Sequence, residues 1–447
     1  MRKKTIYVIL SVLLCCSMFL TACSSAAKTT QPPIDTESSA AAETPVASGE
    51  KVNLVIWTAY GEQLKPAMEA YNQKMVDEGK NIEVTAADLT ESLPDKFAAA
   101  LTTGDVPDIL DLDLVLAPNF TSKGALLDIT DRVNAEGWTS DFNPKFLDLG
   151  LWDGKTYMVP FSADVSVLFY NKDIFEKAGL DPEKAPETWE ELEADLIKIR
   201  DANLTNDAGQ PVYAFATSNG AGGKMFCDLP FLWTNGGGTT DANGQVILDS
   251  PESVAGLEYL NRLINEDNLV PPNPSAYTWD DKMNQFYAGQ VGVMCSGSYA
   301  LAEVLDRAPD LNYNVFLFPH PEGKGSPSSF IGGDVIGIPT QSKHPEEAWD
   351  FIKYALSSAI QVDTWAKIGM PPVRESLTKN EYFDKEPRYY VFAEGVKEGQ
   401  VPKTVFYNEL YDPWGVMWDE ILANKTPLND SIKEAADRMR EIVSAPQ

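Results

Sequence analysis

Three short stretches in the middle of the chain decide the fold. Residues 153–160 run Asp-Gly-Lys-Thr-Tyr-Met-Val-Pro, residues 168–180 run Leu-Phe-Tyr-Asn-Lys-Asp-Ile-Phe-Glu-Lys-Ala-Gly-Leu, and residues 186–192 run Pro-Glu-Thr-Trp-Glu-Glu-Leu. In the third stretch, Thr188 followed by Glu191 is a capping box, whose side chains satisfy the free amides of a first helical turn. Leu192, Leu196 and Ile199 then recur at helical spacing. A helix is therefore expected to begin here.

Strands and helices alternate on both sides of these stretches. Residues 52–58 form a nearly continuous apolar run, which is typical of a parallel strand that is covered on both faces. Apolar residues then recur at helical spacing over 64–75, and further strands are predicted at 82–85 and 108–112. Strands separated by helices indicate right-handed βαβ units and hence an α/β fold.

The quoted stretches also resemble a known family, the family 1 extracellular solute-binding proteins, which are the maltose-binding-like receptors of ABC importers. The matching motifs are the Gly-Lys-x-Tyr-x-x-Pro hinge strand, the Tyr-Asn-Lys-Asp turn and the Thr-Trp-Glu-Glu helix start. Further segments that agree occur in the same order along the chain, at 107–109, 286–297, 346–352 and 371–374. The resemblance extends over residues 51–447.

This resemblance implies an α/β fold of the periplasmic-binding-protein type, with two lobes that each contain a sheet flanked by helices and are joined by hinge segments. The expected N-terminal lobe comprises 51–161 plus 318–370, and the expected C-terminal lobe comprises 162–317 plus 371–447. The resemblance also implies a function. A sugar or oligosaccharide would be captured in the cleft between the lobes, and a membrane permease would recognise the closed form. Such a receptor needs no catalysis, so we expect no enzyme activity.

The first residues predict where the protein works. Basic residues at 2–4 precede an apolar run over 6–20, and Cys23 follows Leu-Thr-Ala. This pattern is typical of a secretory signal, and the cysteine makes it resemble the bacterial lipobox, in which the thiol receives a diacylglycerol. We therefore expect a signal peptide at 1–22, a lipid anchor on Cys23 and a flexible tether at 23–50, whose small and polar residues cannot form a core. The protein would then face outside the cytoplasm, anchored to the cell membrane.

Composition excludes several classes of partner and chemistry. The 447 residues carry a net charge of −30 at pH 7, so phosphate backbones would repel the chain and nucleic acid is excluded as a partner. Two histidines occur, His320 and His344, and neither belongs to a metal-binding or nucleophile motif. The sequence has no glycine-rich nucleotide loop. We therefore expect a receptor without metal or cofactor, and we take it to be a monomer.

Two cysteines follow the expected anchor, Cys227 and Cys295. No Cys-x-x-Cys spacing occurs, which disfavours a zinc site built on thiolates. The two residues could pair in a disulfide outside the cytoplasm. Two separate buried thiols are the favoured interpretation, since isolated cysteines commonly behave as small apolar side chains.

Carboxylates are the first candidates for ligand contact, because they accept strong hydrogen bonds from sugar hydroxyls. Asp111 and Asp113 end a predicted strand, and open α/β sheets hold ligands at the carboxyl ends of strands. Asp334 follows two glycines, which allow the backbone to come close to a ligand. Asp164 lies on the first expected hinge crossing, where the resemblance implies a ligand-binding carboxylate. Glu62, in the first strand–helix loop, completes the set.

Aromatic side chains are the second group of candidates, because flat rings can cover the apolar faces of sugars. Trp414 lies in a predicted Pro/Gly turn, at a place where the resemblance implies a stacking aromatic. Tyr299 occupies another such place, where the family normally has tryptophan. Four more aromatics are candidates either for the cleft or for packing: Trp57, Phe226, Trp233 and Trp279. Arg374 would contact the ligand or hold the third hinge, and the hinge role is favoured.

Two other functions are compatible with these residues. A receptor for a cationic ligand such as a polyamine would use four aspartates as an acidic cage beneath aromatics: Asp111, Asp113, Asp164 and Asp334. The two receptor hypotheses differ in whether these carboxylates converge on one point or spread along an extended groove. A secreted glycoside-active enzyme would need two carboxyl groups about 5 to 10 Å apart, one of them with a raised pKa. No sequence pattern indicates such a pair.

Overall fold

The computed structural model of the chain describes residues 50–89 and 93–445. The expected signal peptide, the lipidated Cys23 and the tether up to residue 49 lie outside the described residues. The first described strand begins at Val52, where the sequence predicts it. Within the described ranges, no helix is both long enough and apolar enough to span a bilayer.

The described residues form ten strands and seventeen α-helices, numbered in chain order. The strands are β1 (Val52–Thr58), β2 (Ile82–Asp88), β3 (Ile109–Asp113), β4 (Leu151–Trp152), β5 (Lys155–Thr156), β6 (Met158–Asn171), β7 (Tyr213–Ala216), β8 (Val291–Gly297), β9 (Tyr313–Phe316) and β10 (Ile331–Gly337). The helices are α1 (Gly61–Asp77), α2 (Leu93–Thr103), α3 (Ala117–Ser122), α4 (Thr130–Glu136), α5 (Pro144–Leu149), α6 (Lys172–Lys177), α7 (Trp189–Asp201), α8 (Ala221–Trp233), α9 (Pro251–Asn261), α10 (Trp279–Tyr287), α11 (Ala300–Arg307), α12 (Pro345–Ala355), α13 (Ser358–Ile360), α14 (Glu381–Lys385), α15 (Tyr389–Glu398), α16 (Tyr407–Ala423) and α17 (Leu428–Ser444).

Two main sheets share one long strand. In the first sheet the strands lie in the order β2-β1-β3-β10-β6, with β1 parallel to both β2 and β3 and with β10 antiparallel to β3 and β6. In the second sheet, β6 pairs antiparallel with β8 and β9, and β7 runs parallel to β8. The short strands β4 and β5 form a separate hairpin. The expected α/β architecture is therefore confirmed.

The shared strand β6 passes from one sheet into the other. Its first half, up to Val165, pairs with β10, and its second half, from Ser166, pairs with β8 and β9. All 14 of its residues are buried, as expected for a strand that is covered by helices on both faces. One continuous strand therefore connects the two halves of the molecule.

The turn and helix starts predicted after β6 are present. The side chain of Asn171 accepts a hydrogen bond from the amide of Ile174 at 3.1 Å and starts α6. Thr188 caps α7 by accepting a hydrogen bond from the amide of Glu191, also at 3.1 Å. The glutamate departs from a full capping box, because its carboxylate accepts a hydrogen bond from the amide of Glu187.

Two of the predicted lobe boundaries fall where the chain passes between the sheets. The boundary 161/162 lies within β6, and the boundary 317/318 lies between β9 of the second sheet and β10 of the first. The boundary 370/371 lies just before Arg374, whose Nε donates a hydrogen bond to Asp141 Oδ2 at 2.8 Å. The limits of the lobes as independently moving bodies remain a prediction.

A disulfide joins Cys227 to Cys295, with their Cα atoms 5.7 Å apart. The expectation of two separate thiols is therefore wrong. Cys227 lies in α8 and Cys295 in β8, and α8 packs against the second sheet. The two residues are 68 positions apart, so their proximity depends on this packing and cannot be inferred from their spacing in the sequence.

Candidate functional site

A cavity of about 580 Å³ lies where the carboxyl end of β3 and the start of β10 face helices α8, α10 and α16. Its polar and aromatic lining comprises Asp111, Asp113, Asp164 and Asp334 together with Tyr60, Phe226, Trp279, Tyr299, Phe330, Tyr407 and Tyr411. The first sheet contributes most of the acids, and the helices around the second sheet contribute most of the aromatics. The structure thus brings four predicted acids and three predicted aromatics to one place.

Strand register explains why the acids converge. Asp113 on β3 lies directly opposite Asp334 on β10. Asp334 in turn lies opposite Ser162 on β6, and Asp164 follows two residues later on that strand. Because side chains two residues apart share one face of a sheet, Asp111 lies on the same face as Asp113. Three neighbouring strands therefore present their carboxylates to a single cavity.

Hydroxyl groups from the first sheet hold two of these acids. Thr58 Oγ1 donates a hydrogen bond to Asp111 Oδ2 at 2.5 Å, and Ser162 Oγ donates to Asp334 Oδ2 at 3.1 Å. The other oxygen of Asp111, Oδ1, is buried and has no hydrogen-bond partner among the residues that the structure describes. Asp113 accepts a hydrogen bond from the amide of Val115 at 3.2 Å. One oxygen of Asp111 therefore has no donor within the described part of the chain.

Asp164 is fixed more firmly than the other three acids. Its Oδ1 accepts hydrogen bonds from the amides of Val165 and Ser298, both at 2.8 Å, and from the hydroxyl of Ser298 at 2.7 Å. Gly297 allows this approach, because a Cβ at that position would lie 2.7 Å from both oxygens of Asp164 and would also meet the ring of Tyr299. The loop after β8 is thus tied to β6 beside the cavity.

Desolvation by the surrounding protein raises the pKa of all four carboxyl groups. It is the largest cause for Asp111, whose pKa lies well above its ordinary value, and the negative charge of Asp334 raises that pKa further. Desolvation by the protein around the cleft and the negative charge of Asp334 also raise the pKa of Asp113, although its side chain is partly exposed to solvent in the cleft. The pKa of Asp334 is raised to about 6, mainly by burial, while hydrogen bonds to neighbouring hydroxyls oppose the shift. Burial raises the pKa of Asp164 despite its hydrogen bonds.

Several aromatics that line the cavity were not among the residues predicted from the sequence. Tyr407 and Tyr411 lie one turn apart on α16, with ring centroids 5.0 Å apart. Tyr60 follows β1, and its amide donates a hydrogen bond to the Thr58 hydroxyl that holds Asp111. The spacing of the two tyrosines, four residues apart on one helical face, was the available signal for α16.

Trp414 does not line the cavity. The side chain is fully buried, with 0% of its surface exposed, and packs edge-on against Trp418 at 6.0 Å between ring centroids. The expected Pro/Gly turn is absent, because Pro413 and Gly415 both lie inside α16. The helix carries Trp414 beyond Tyr411 to a position where α16 packs on α8. The prediction that Trp414 forms an open stacking platform is therefore wrong.

Four other candidates also lie away from the cavity. Trp57 packs half-buried on β1 against the core, because its strand is interior to the first sheet. Glu62 is exposed on the first turn of α1, beside a separate surface depression. Trp233 packs against the ring of Phe330, with centroids 5.6 Å apart, and so supports a lining residue from behind. Arg374 forms an ion pair with Asp141, which agrees with the favoured hinge role.

The lining of the cavity limits the ligands that suit it. Among the residues that the structure describes, no lysine or arginine lines the cavity, and no group of three His, Cys, Asp or Glu side chains is placed to hold a metal ion. The cavity therefore presents negative charge, hydroxyl groups and aromatic faces. These suit a ligand that donates hydrogen bonds and has an apolar face, and they disfavour an anion.

Residues 57–362 match the sequence profile of the bacterial extracellular solute-binding proteins. The chain belongs to this family. The resemblance predicted from the motifs in residues 153–192 is therefore confirmed. The members of this family are binding proteins that act outside the cytoplasm.

Individual relatives agree with this assignment. The arabinooligosaccharide-binding protein of Bacillus subtilis is 27% identical over 354 residues, which cover 75% of this chain and 78% of that protein. The maltose-bound MalE3 protein of T. maritima has a TM-score of 0.76 and 26% identity, over 87% of this chain and 99% of its own. The cyclic alpha-maltosyl-1,6-maltose binding protein of Arthrobacter globiformis has a TM-score of 0.73 and 24% identity, over 88% and 99%. These structures confirm the two-lobed fold.

Proposed function

We propose that this protein is the substrate-binding lipoprotein of an ABC importer, which captures a sugar or oligosaccharide and delivers it to a membrane permease. The observation that carries the proposal is the cavity described above. Carboxylates from the first sheet line it together with aromatics that come mostly from the second half of the chain. Membership of the solute-binding family supports it. Similar proteins that bind arabinooligosaccharides and maltose support the saccharide as the ligand class.

The chemistry of the cavity fits a saccharide. Ionised carboxylates accept stronger hydrogen bonds from hydroxyls than neutral acceptors do. Aromatic rings such as those of Trp279, Phe226 and Tyr299 cover the apolar face of a pyranose or furanose ring. The volume of about 580 Å³ lies within the range of roughly 300 to 1,000 Å³ that small-molecule sites occupy.

Closure of the two lobes would complete the site. The lobes are proposed to comprise 51–161 plus 318–370 and 162–317 plus 371–447, with β6 as the main hinge. Three of the cavity acids, Asp111, Asp113 and Asp334, belong to the first of these lobes. Phe226, Trp279 and Tyr299 belong to the second, so a ligand makes its full set of contacts only when the lobes approach each other. Differential contacts of this kind favour the closed form, which the permease would recognise.

The remaining parts of the proposal concern location and chemistry. A diacylglycerol on Cys23 would anchor the protein to the cell membrane, outside the cytoplasm, and residues 23–50 would tether the binding domain. The protein would act as a monomer with the permease subunits as its partners. Saccharide would leave the receptor chemically unchanged, since transport requires no turnover.

A receptor for a cationic ligand is a second candidate, because of one observation. The four aspartates line one cavity and are not spread along an extended groove. Within the described residues, no basic side chain shares that cavity with them. A positive charge on the ligand would therefore be stabilised at this site.

A thermal-shift screen of the mature protein against mono- and oligosaccharides tests the proposed function. A ligand that binds only the folded state at one hundred times its Kd stabilises it by about 2.7 kcal/mol, so a true ligand should raise the Tm clearly. Chromatography of the recovered ligand should show intact saccharide. Stabilisation by polyamines but by no saccharide would replace the proposal with the second candidate, and stoichiometry-exceeding hydrolysis would assign an enzyme activity.

A further inference from the structure

We propose that the saccharide carries a protonated amine, which Asp111, Asp113 and Asp334 hold while the aromatic wall covers the sugar ring. This inference rests on the proposed function and narrows its ligand class to aminated sugars. It follows from the charge of the cavity, from one unpaired carboxylate oxygen and from the aromatic rings that line the same cavity.

The acids lie close together without a countercharge. Asp113 and Asp334 are directly opposite on neighbouring antiparallel strands, an arrangement in which like charges destabilise a sheet. Asp111, two residues before Asp113, adds a third carboxyl group on the same face. In the described part of the chain, the cavity has neither a lysine nor an arginine in its lining to offset these charges.

Outside the cavity, Asp228 is the one buried acid among the described residues, and it has a basic neighbour. Its Oδ2 lies 3.0 Å from the Nζ of Lys224, which is also buried. The partly buried Asp141 pairs with Arg374 at 2.8 Å. Asp111 and Asp334 are buried without such a neighbour in the cavity lining, and a cation supplied by the ligand would take its place.

Asp111 shows where that cation would lie. It is 1% exposed, its Oδ2 accepts the hydroxyl of Thr58, and its Oδ1 has no partner among the described residues. A buried carboxylate oxygen without a donor is costly, and a donor that enters the cavity would satisfy it. An ammonium group has three donors and one positive charge, so it can bond Asp111 and reach the acids of β3 and β10 at once. A neutral hydroxyl has one donor and leaves the charge unbalanced.

The aromatic wall distinguishes an aminated sugar from a linear polyamine. Phe226 and Trp279 line the cavity from α8 and α10, whereas the acids lie on strands of the first sheet. The Nζ of Lys282 lies 3.2 Å from the ring centroid of Trp279 and holds this ring in place from behind the cavity lining. Aromatic rings that line a cavity can cover the apolar face of a sugar ring. A ligand that joins a cation to an apolar ring face therefore matches both the acids and the aromatics, whereas a linear polyamine matches the acids alone.

Proton linkage provides an independent signature. The carboxyl groups that line the cavity have raised pKa values, so a ligand cation, which favours their ionised forms, must displace protons. The other titratable groups that face the cavity are Tyr60, Tyr299, Tyr407 and Tyr411, and their raised pKa values keep them protonated near neutral pH. Affinity for an amine should therefore fall more steeply than affinity for a neutral sugar as the pH is lowered from 7 to 5.

Calorimetric titration of the mature protein with matched saccharides tests the proposal. For each of several linkages, the set contains a neutral disaccharide or trisaccharide, its 2-amino analogue and its N-acetylated analogue, with spermidine as a cation that lacks a ring. The amino member should bind at least tenfold more tightly than its neutral partners at pH 7, and this preference should shrink at pH 5. Asp113→Asn should reduce the preference at least fivefold, and because this side chain is open to the cleft, folding should survive.

A matched variant controls for net charge. Asp249→Asn removes one negative charge from a surface ion pair with Arg440, outside the cavity, and should leave the preference unchanged. Equal or tighter binding of the neutral members would overturn the amine inference and leave the proposed function standing. Binding of spermidine without any saccharide, or of none of these probes, would overturn both. If Asp249→Asn reduced the preference for the amino sugar as much as Asp113→Asn does, the preference would be due to net charge, and this result would also overturn the inference.

Discussion

Replacing Asp164 by alanine and by asparagine should separate the hydrogen bonds of this side chain from its charge. Its Oδ1 accepts three hydrogen bonds, from the amides of Val165 and Ser298 and from the hydroxyl of Ser298, at 2.7 to 2.8 Å. Alanine removes the acceptor altogether. Asparagine keeps an oxygen that can accept the same bonds as Oδ1, removes the negative charge and places an NH2 group where Oδ2 was. The acceptor for these three bonds is therefore the main difference between the two variants.

The magnitudes follow from burial. Asp164 is 8% exposed, and a buried donor that loses its partner costs about 1 to 3 kcal/mol. The hydroxyl of Ser298 can rotate toward another acceptor, so two stranded amides remain, and Asp164→Ala should lower the free energy of unfolding by about 2 to 4 kcal/mol. The raised pKa indicates that burying the charge costs more than the bonds return. Asp164→Asn should therefore stay within about 1 kcal/mol of the wild type.

Urea unfolding at pH 5 and pH 8 measures both effects. A carboxyl group whose pKa is higher in the folded state binds its proton more tightly there, so its contribution to stability is present at low pH and is lost as the pH rises through that pKa. The wild type should therefore lose stability relative to Asp164→Asn between the two pH values. A loss in Asp164→Asn as large as that in Asp164→Ala would refute the reasoning from the hydrogen bonds. A relative gain by the wild type at pH 8 would refute the sign of the charge effect.

Three further predictions concern the core, the disulfide and the anchor. Trp414→Ala should lower the free energy of unfolding by about 3 to 5 kcal/mol because the side chain is fully buried, whereas Tyr411→Ala should keep the Tm within a few degrees and weaken saccharide binding about tenfold. Thermal melts and calorimetric titration check both variants, and the opposite pattern would show that Trp414 is the ligand platform. Replacing Cys227 and Cys295 together by serine should lower the free energy of unfolding by about 4 kcal/mol, because the disulfide closes a loop between residues 68 positions apart and so restricts the unfolded chain. Urea midpoints of the variant and the wild type that barely differ would contradict the pairing. Cys23→Ser should release the protein from the membrane fraction or leave it unprocessed, which immunoblotting of fractions checks; unchanged retention would rule out the lipid anchor.

The acids of the site were accessible to sequence reasoning because their placement is local. Asp111 and Asp113 end a predicted strand, and the carboxyl end of such a strand is where an open α/β sheet presents side chains to a ligand. Asp334 was a candidate because two glycines precede it, and Asp164 was a candidate only through the resemblance. That the strands of all four lie side by side depends on the register of β3, β10 and β6, which local patterns do not encode.

The aromatics were harder to assign, for a tertiary reason. Pro413 and Gly415 are typical of a turn, yet both lie inside α16, where packing on α8 and α17 holds the helix. Gly415 permits this contact, since a Cβ there would lie 3.0 Å from that of Ala221. Tertiary contacts overrode the local preference for a turn. They therefore also decided that Tyr411 faces the cavity and Trp414 the core.

The sequence alone determined the alternation of strands and helices, the start of the first described strand at Val52 and the family to which the chain belongs. These depend on hydrophobic periodicity, caps and short motifs, which act over a few residues. Only the tertiary structure decided that Cys227 meets Cys295, that the carboxylates share a cavity without a basic neighbour among the described residues, and which aromatics line it. These features arise between segments far apart in the chain, where strand register and helix packing, rather than local propensity, determine which side chains meet.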